Sequence, residues 1–381
     1  MTPYPMWSRI DSANVDAFEK EIREAFPEGF PDPLVLDAAV LSYISSAGLR
    51  MLLRLQKATG NLLVTHVNLD VYDIFEMTGF SELLRVEKAM RQISIEGCPE
   101  IGRGAHGVVY RIAPDTIVKV YHPGESLEAI RKEKELSRWA FINGIPTAIP
   151  YDIVRVGDQY GTVFELLDSR SAADYIMESP EHLEDYARRS VSLLKLIHSI
   201  TVEPGTLPNM KKQMLEWMDS VRLLSESGQF GELPEGLCAR LDQMIRDTPD
   251  TLMLLHADPH LKNIMICGDE LMIIDMDTLC TGDPIFDLAT LYNSYREFPS
   301  IDPEAAAFLG IDLESAYRLC DLTMAYYLQG TDPAEQAETL RRARIFGCVR
   351  IISYMMPLTE MPARDRILQR CLQDIAELMA E

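Results

Sequence analysis

The segment His256-Ala-Asp-Pro-His-Leu-Lys-Asn263, continued by Ile264-Met-Ile-Cys-Gly-Asp-Glu-Leu271-Met-Ile-Ile-Asp275, decides how the chain reads. It fits HxDxxxxN, then two apolar β-like runs around Cys-Gly-Asp-Glu, then an aspartate twelve residues after Asn263. Apolar runs on either side of a polar turn predict a hairpin. A hairpin of that length brings Asn263 and Asp275 side by side. An amide and a carboxylate there are two hard oxygen ligands, suited to Mg²⁺ carried by a nucleotide. Asp258, near the start of the same loop, is placed to accept the proton of an attacking hydroxyl. Taken singly, Asp258 and Asn263 read equally well as loop caps, and Asp275 as a strand end.

Upstream, Ile101-Gly-Arg-Gly-Ala-His-Gly-Val-Val-Tyr110 contains GxGxxGxV. An isolated match of this kind is often only a hairpin turn. Here both flanks are β-like, unlike the strand-to-helix setting of a dinucleotide-binding turn. A lysine follows in Ile117-Val-Lys119-Val-Tyr. Gly102, Gly104 and Gly107 would let backbone N–H groups approach phosphate oxygens, and Lys119 would contact the α and β phosphates. Glu133 shares a helical face with Leu136 and Ala140, so it points toward a core where it can hold Lys119; Glu135 lies on another face. Strands are expected near 101–112, 116–121 and 160–167, with a helix near 126–142. From 170 onward the pattern is mostly helical.

The order Gly-loop, Lys, Glu, HxDxxxxN, Asp resembles the kinase-like phosphotransferase superfamily, most closely its aminoglycoside phosphotransferase and choline kinase branch, from about residue 96 onward. Ala257 stands where that branch has glycine. Gly282-Asp-Pro-Ile-Phe-Asp287-Leu-Ala resembles its GDPxxDLA segment, which makes Asp287 an anchor for the catalytic loop. Protein kinases are the nearest competitor, but Asp275-Met-Asp replaces DFG. Gly282 comes only seven residues after Asp275, too soon for a long activation loop. The resemblance implies an ATP- and Mg²⁺-dependent transferase acting on a small hydroxylated molecule. Asp258, Asn263, Lys119 and Glu133 would be catalytic, and Asn263 and Asp275 would hold metal. Gly102, Gly104, Gly107 and Lys119 would hold the nucleotide, its adenine against the backbone of Glu165 and Leu167. Asp277 is open between metal, acceptor and turn roles. His106 reads as exposed at the Gly-loop tip, His260 as loop packing and His198 as a core helix residue.

Residues 1–95 alternate strand and helix. Val15, Phe18, Ile22 and Phe26 recur at helical spacing after cap candidates Asp11 and Ser12, and Leu49, Leu52, Leu53 and Leu55 mark a second helix. Leu34-Val-Leu-Asp-Ala-Ala and Leu62-Leu-Val-Thr-His-Val read as strands, and 71–77 as a short helix ending at Gly79. Such alternation implies a mainly parallel, mixed sheet with packed helices. The segment Leu34-Val-Leu-Asp-Ala-Ala-Val-Leu-Ser-Tyr-Ile-Ser45-Ser-Ala-Gly48-Leu-Arg-Met-Leu-Leu resembles a STAS domain, the fold of anti-sigma factor antagonists. Arg9-Ile-Asp-Ser-Ala-Asn and Phe75-Glu-Met-Thr-Gly79-Phe add to it. The family's DSSG turn aligns its phosphorylated serine with Ser46, and Ser45 replaces the aspartate. A phosphate there would sit at a helix N-terminus; a plain helix cap is the alternative. The expected organisation is thus an α/β STAS-like domain (1–95), followed by an α+β bilobal kinase-like fold with its N-lobe at 96–168 and helical C-lobe at 169–381.

Composition sets the outer limits. The 381 residues are 47% hydrophobic, enough for sizeable cores. Lys plus Arg is 36 and Asp plus Glu is 59, a net charge of −23. So acidic a chain argues against nucleic acid or an anionic membrane as partner. No apolar run approaches the roughly 18 residues of a membrane span, and MTPYPMWSRID does not read as a secretory signal. Seven cysteines with no CxxC pair favour reduced thiols in the cytoplasm. The expected partners are a small hydroxyl acceptor and a protein docking on the STAS-like domain. A second reading is a nucleotide-binding regulator, or a protein Ser/Thr kinase, acting with that domain in an anti-sigma-type pathway.

Overall fold

A computed structural model of the chain describes residues 3–104, 106–230, 233–302, 304–361 and 363–380. The chain divides into two compact units, 1–96 with 153–161, and 97–152 with 162–381.

In the first unit, four strands run in the order Tyr4–Pro5, Leu34–Asp37, Leu62–Val67, Arg85–Lys88, each paired in parallel with its neighbour. Leu34 and Leu36 pair with Leu62 and Val64, and all four are fully buried. Strands with covered faces read as nearly continuous apolar runs, which is why the sequence showed them. Helices Val15–Ala25, Ser46–Thr59 and Leu69–Met77 bury Phe18, Ile22, Leu52, Leu55 and Phe75 in the same cluster. The first helix is entered at Asn14 rather than at Asp11 or Ser12. Asp11 sits just outside, where its carbonyl accepts from Val15 N and its carboxylate from Ala13 N.

In the second unit Glu100–Arg103, Gly107–Ala113 and Thr116–Tyr121 form an antiparallel sheet. The strands Pro150–Val156 and Gln159–Glu165 lie partly in this unit and partly, over 153–161, in the first. The strand Pro150–Val156 was not legible: it opens on proline and exposes Tyr151 and Asp152, so neither alternation nor an apolar run marks it. The helix Leu127–Ile142 is capped by Ser126 Oγ, which accepts from Ala129 N at 3.1 Å. It buries Ile130, Glu133, Leu136, Ser137 and Ala140 on one face. The helices Pro180–His198, Met210–Glu226, Leu313–Tyr327, Pro333–Met355 and Arg364–Leu378 enclose a second hydrophobic cluster. The hairpin Ile264–Cys267 with Glu270–Ile273 interrupts them, as expected.

Candidate functional site

The catalytic-loop segment is fixed by its backbone. His256 N and Ala257 N donate to the two carboxylate oxygens of Asp287, at 3.0 and 2.7 Å. His198 Nε2 reaches Asp287 Oδ2 at 3.0 Å, and its Nδ1 reaches Tyr327 Oη at 2.7 Å. Thr278 Oγ1 donates to His256 O at 2.7 Å, while Arg350 and Thr290 donate to Ala257 O at 2.6 and 3.2 Å. Asp287 is thus the anchor the sequence suggested, with His198 the core histidine behind it. Ala257 has φ 65°, the left-handed region. The small residue is tolerated there, although glycine alone would be free of strain.

Asp258 follows. Asn263 Nδ2 donates to its carbonyl at 2.9 Å and lies 3.3 Å from its Oδ2. His260 Nε2 is 3.3 Å from the same Oδ2, and Arg350 is 3.7 Å from Oδ1. Burial alone would raise this carboxyl; the hydrogen bond from His260, then the charges of His260 and Arg350, outweigh it and hold it at about 2. Sequence reading missed both partners. His260 was visible inside the motif but is more than loop packing. Arg350 lies on Pro333–Met355, with no local pattern to mark it.

The hairpin does what its length required. Ile264 pairs with Ile273, and Ile274 N donates to Asn263 O at 2.8 Å, so Asp275 leaves the second strand next to Asn263. Asp275 has φ 69°. Its Oδ1 accepts from Lys119 Nζ at 3.1 Å, and Glu133 Oε1 accepts from the same ammonium at 2.7 Å. Burial would lower the Lys119 pKa, but the charges of Asp275 and Glu133 outweigh it and raise it, so the lysine stays charged. Three residues spread over 156 positions meet on one ammonium group. Asp277 is pushed up to about 6 by burial, then by Asp275 and Glu133. His106 Nε2 stands 3.9 Å from it, with Nδ1 on Glu125 at 3.1 Å.

The glycines differ. A Cβ on Gly107 would lie 2.3 Å from Val120 O, so the strand pair itself requires that glycine. Gly102 meets only ordinary contact, and Gly104 faces open space. The Gly104 N–H already donates to Gly107 O at 2.9 Å, within the loop. Ala105 lies outside the described residues. Glu165 N donates to Ile149 O at 3.1 Å, and its side chain accepts from Ile149 N, so its carbonyl is the group it can offer. Leu167 follows in the connecting segment, its carbonyl accepting from Ser169 Oγ.

In the first unit Ser45 is the helix cap, accepting from Ala47 N at 3.2 Å and Gly48 N at 3.5 Å. Ser46 is exposed at the first helical position, with Arg50 Nη2 3.4 Å from its hydroxyl. A surface depression of about 500 Å³ between Leu62–Val67 and Arg85–Lys88 takes in none of the residues above.

These features define a kinase-like phosphotransferase, joined to a small α/β domain. Residues 97–319 match the family model described as "Phosphotransferase enzyme family", and the chain belongs to that family. Residues 4–93 match the STAS domain. A protein of Bordetella bronchiseptica named as an anti-sigma factor antagonist, BtrV, is 35% identical over 81 residues, which is 20% of this chain and 69% of that protein. Among solved structures, ADP-bound aminoglycoside phosphotransferase APH(2'')-Ib is similar, at TM-score 0.50 and 18% identity over 74% of this chain and 93% of that one. The streptomycin–ATP complex of APH(2")-IIa gives TM-score 0.51 and 17% identity over 74% and 92%. At such identities the likeness is one of fold. Among the described residues no helix is long and apolar enough to cross a membrane.

Proposed function

We propose that the chain transfers the γ-phosphoryl group of ATP to a hydroxyl of a small molecule, and that its STAS domain docks a regulatory protein. The observation that carries the enzymatic reading is Lys119 Nζ held between Glu133 and Asp275, beside the anchored Asp258–Asn263 loop. Lys119 would bind the α and β phosphates and the Gly-loop would cover them. The adenine would bond to the Glu165 carbonyl and the Leu167 N–H.

The donor set fits Mg²⁺. Asn263 spends its amide N–H on Asp258, which leaves its Oδ1 as a hard ligand, and Asp275 has a carboxylate oxygen beyond the one on Lys119. Bound there with the nucleotide, the ion would neutralise phosphate charge. Asp258 Oδ accepts the acceptor's proton as the acceptor oxygen bonds to phosphorus and the bond to the β-phosphate oxygen breaks, releasing ADP. A carboxyl held near 2 is a weak base, so Asp258 serves first to orient the hydroxyl and takes its proton late, as suits a loose transition state. The six residues between Asp275 and Gly282 leave no room for an activation segment, which favours a small acceptor over a protein.

MgATP-dependent ADP release across a panel of aminoglycosides, choline-like alcohols, amino acids and sugars tests this, with Asp258→Asn as control. Stimulation by one class, absent in the control, supports it; no stimulation despite ATP binding refutes it. A second reading is favoured by Ser46, exposed with Arg50 beside it as a phosphate partner. In it the acceptor is a protein serine, and phosphopeptide mapping after ATP incubation decides.

A further inference from the structure

Away from the phosphate-handling residues, four side chains converge in the helical part of the second unit. Glu297 ends the π-helical turn Asn293–Glu297, which continues the helix Ile285–Tyr292. Cys348 lies in Pro333–Met355, and Cys371 and Asp374 are one turn apart on Arg364–Leu378. All are buried: Glu297 is 3% exposed, Asp374 2% and both cysteines 0%. One donor atom each from Glu297, Cys348 and Asp374 lies within 4.8 Å of the other two. The Cys348 thiol neighbours that of Cys371, which pushes its pKa up together with burial.

A separate observation points to a missing partner. Glu297 Oε1 is buried and meets no nitrogen or hydroxyl donor, and its carboxyl faces that of Asp374. A desolvated acceptor-only oxygen is costly unless a cation or proton meets it. The Arg370 guanidinium donates to Asp374 Oδ2 at 2.9 Å. Burial, then the hydrogen bond and charge of Asp374, push the Glu297 carboxyl up against the positive charges of Arg344 and Arg370. In the metal-free chain the two arginines match the two carboxylates, and two thiolates would add −2 that a divalent cation bound with them would match. Two sulfur donors exclude the hard ions Mg²⁺ and Ca²⁺ and suit Zn²⁺. Zinc–ligand bonds of about 2.0–2.3 Å hold tetrahedral donors about 3.3–3.8 Å apart, so Glu297, Cys348 and Asp374 would have to contract and Cys371, outside that 4.8 Å group, would have to swing in beside Cys348. A π turn at a functional site is a recurrent device.

We propose that Glu297, Cys348, Cys371 and Asp374 form a closed, structural Zn²⁺ site that ties three helices of the C-terminal region together. Both thiols are free in this structure, and zinc would bind them as thiolates, releasing their two protons and the one shared by the carboxyl pair to solvent.

The test uses the full-length chain, expressed with zinc and kept reduced with a phosphine. Elemental analysis is expected to find one zinc per chain. Co²⁺ added to the metal-free chain is expected to give sulfur-to-metal charge-transfer absorption. Co²⁺ at Asn263 and Asp275 would meet only oxygen and gives no such band. Cys348→Ser should remove the band and weaken zinc binding by about 100-fold or more. Should that variant fail to fold, the wild-type spectrum still decides, with Glu297→Gln, which keeps both thiols, expected to weaken zinc binding while keeping the band. A folded wild-type chain with no sulfur band, and no rise in melting temperature on adding Zn²⁺, overturns the proposal. The cluster is then a carboxyl pair sharing a proton.

Discussion

The chemical role proposed for Asp258 and its lowered pKa have separable consequences. Asp258→Asn keeps the side chain's size and is expected to lower acceptor-dependent ADP release by about 10²–10⁴-fold while ATP still binds. Because its carboxyl sits at about 2, the pH profile of kcat/KM should show no acidic limb from this group between pH 5 and 8; a limb there that vanishes in Asp258→Asn would contradict the assignment. The depressed value also contributes stability, present above the ordinary carboxylate range and lost as pH falls toward 2. One position earlier, Ala257 holds φ 65° with three donors and acceptors fixing it. Ala257→Gly removes a left-handed strain of about 1–2 kcal/mol and adds unfolded-state entropy of about 0.4–1 kcal/mol. The expected net effect is a stabilisation of about 0.5–1 kcal/mol by urea unfolding; a clear loss of stability would show that the Cβ packing matters more.

Strands and helices explain why some glycines and serines matter for folding and others for ligand. Gly107→Ala places a methyl on the Val120 carbonyl and should destabilise by about 2–3 kcal/mol. Gly104→Ala meets nothing, so it should leave thermal stability unchanged and raise the KM for ATP. Equal stability losses in both would undo the distinction. In the same way Ser45→Ala should cost about 1 kcal/mol as a lost cap, and Ser46→Ala a few tenths at most. This is also the scale at which sequence was most informative. Lys119 and Glu133 were readable because one lies in a β-branched run and the other shares a helical stripe with Leu136. Asn263 and Asp275 were readable because a hairpin converts spacing into adjacency. Arg350, ninety-two residues beyond Asp258, depends on how long helices pack, and no local pattern encodes that. The buried Glu297 cluster was hidden for the same reason: its members come from three helices.

Each unit has its own hydrophobic cluster, and the two share no residue. Calorimetry on the whole chain is therefore expected to resolve two transitions. MgATP at 100 times its Kd should raise the stability of the unit proposed to bind it by about 2.7 kcal/mol and leave the other transition in place. A single transition that moves as a whole would refute independent unfolding. The net charge of −23 is compatible with a cationic acceptor, although exposed acidic groups account for much of it. The short passage from Asp275 to Gly282 has a consequence for control. The Lys119–Glu133 pair is already closed, and the six residues between Asp275 and Gly282 are too few to form a long segment that modification would have to order. Under the proposed function, throughput would be set by supply: by how much acceptor reaches the centre, and by which protein the N-terminal domain keeps nearby.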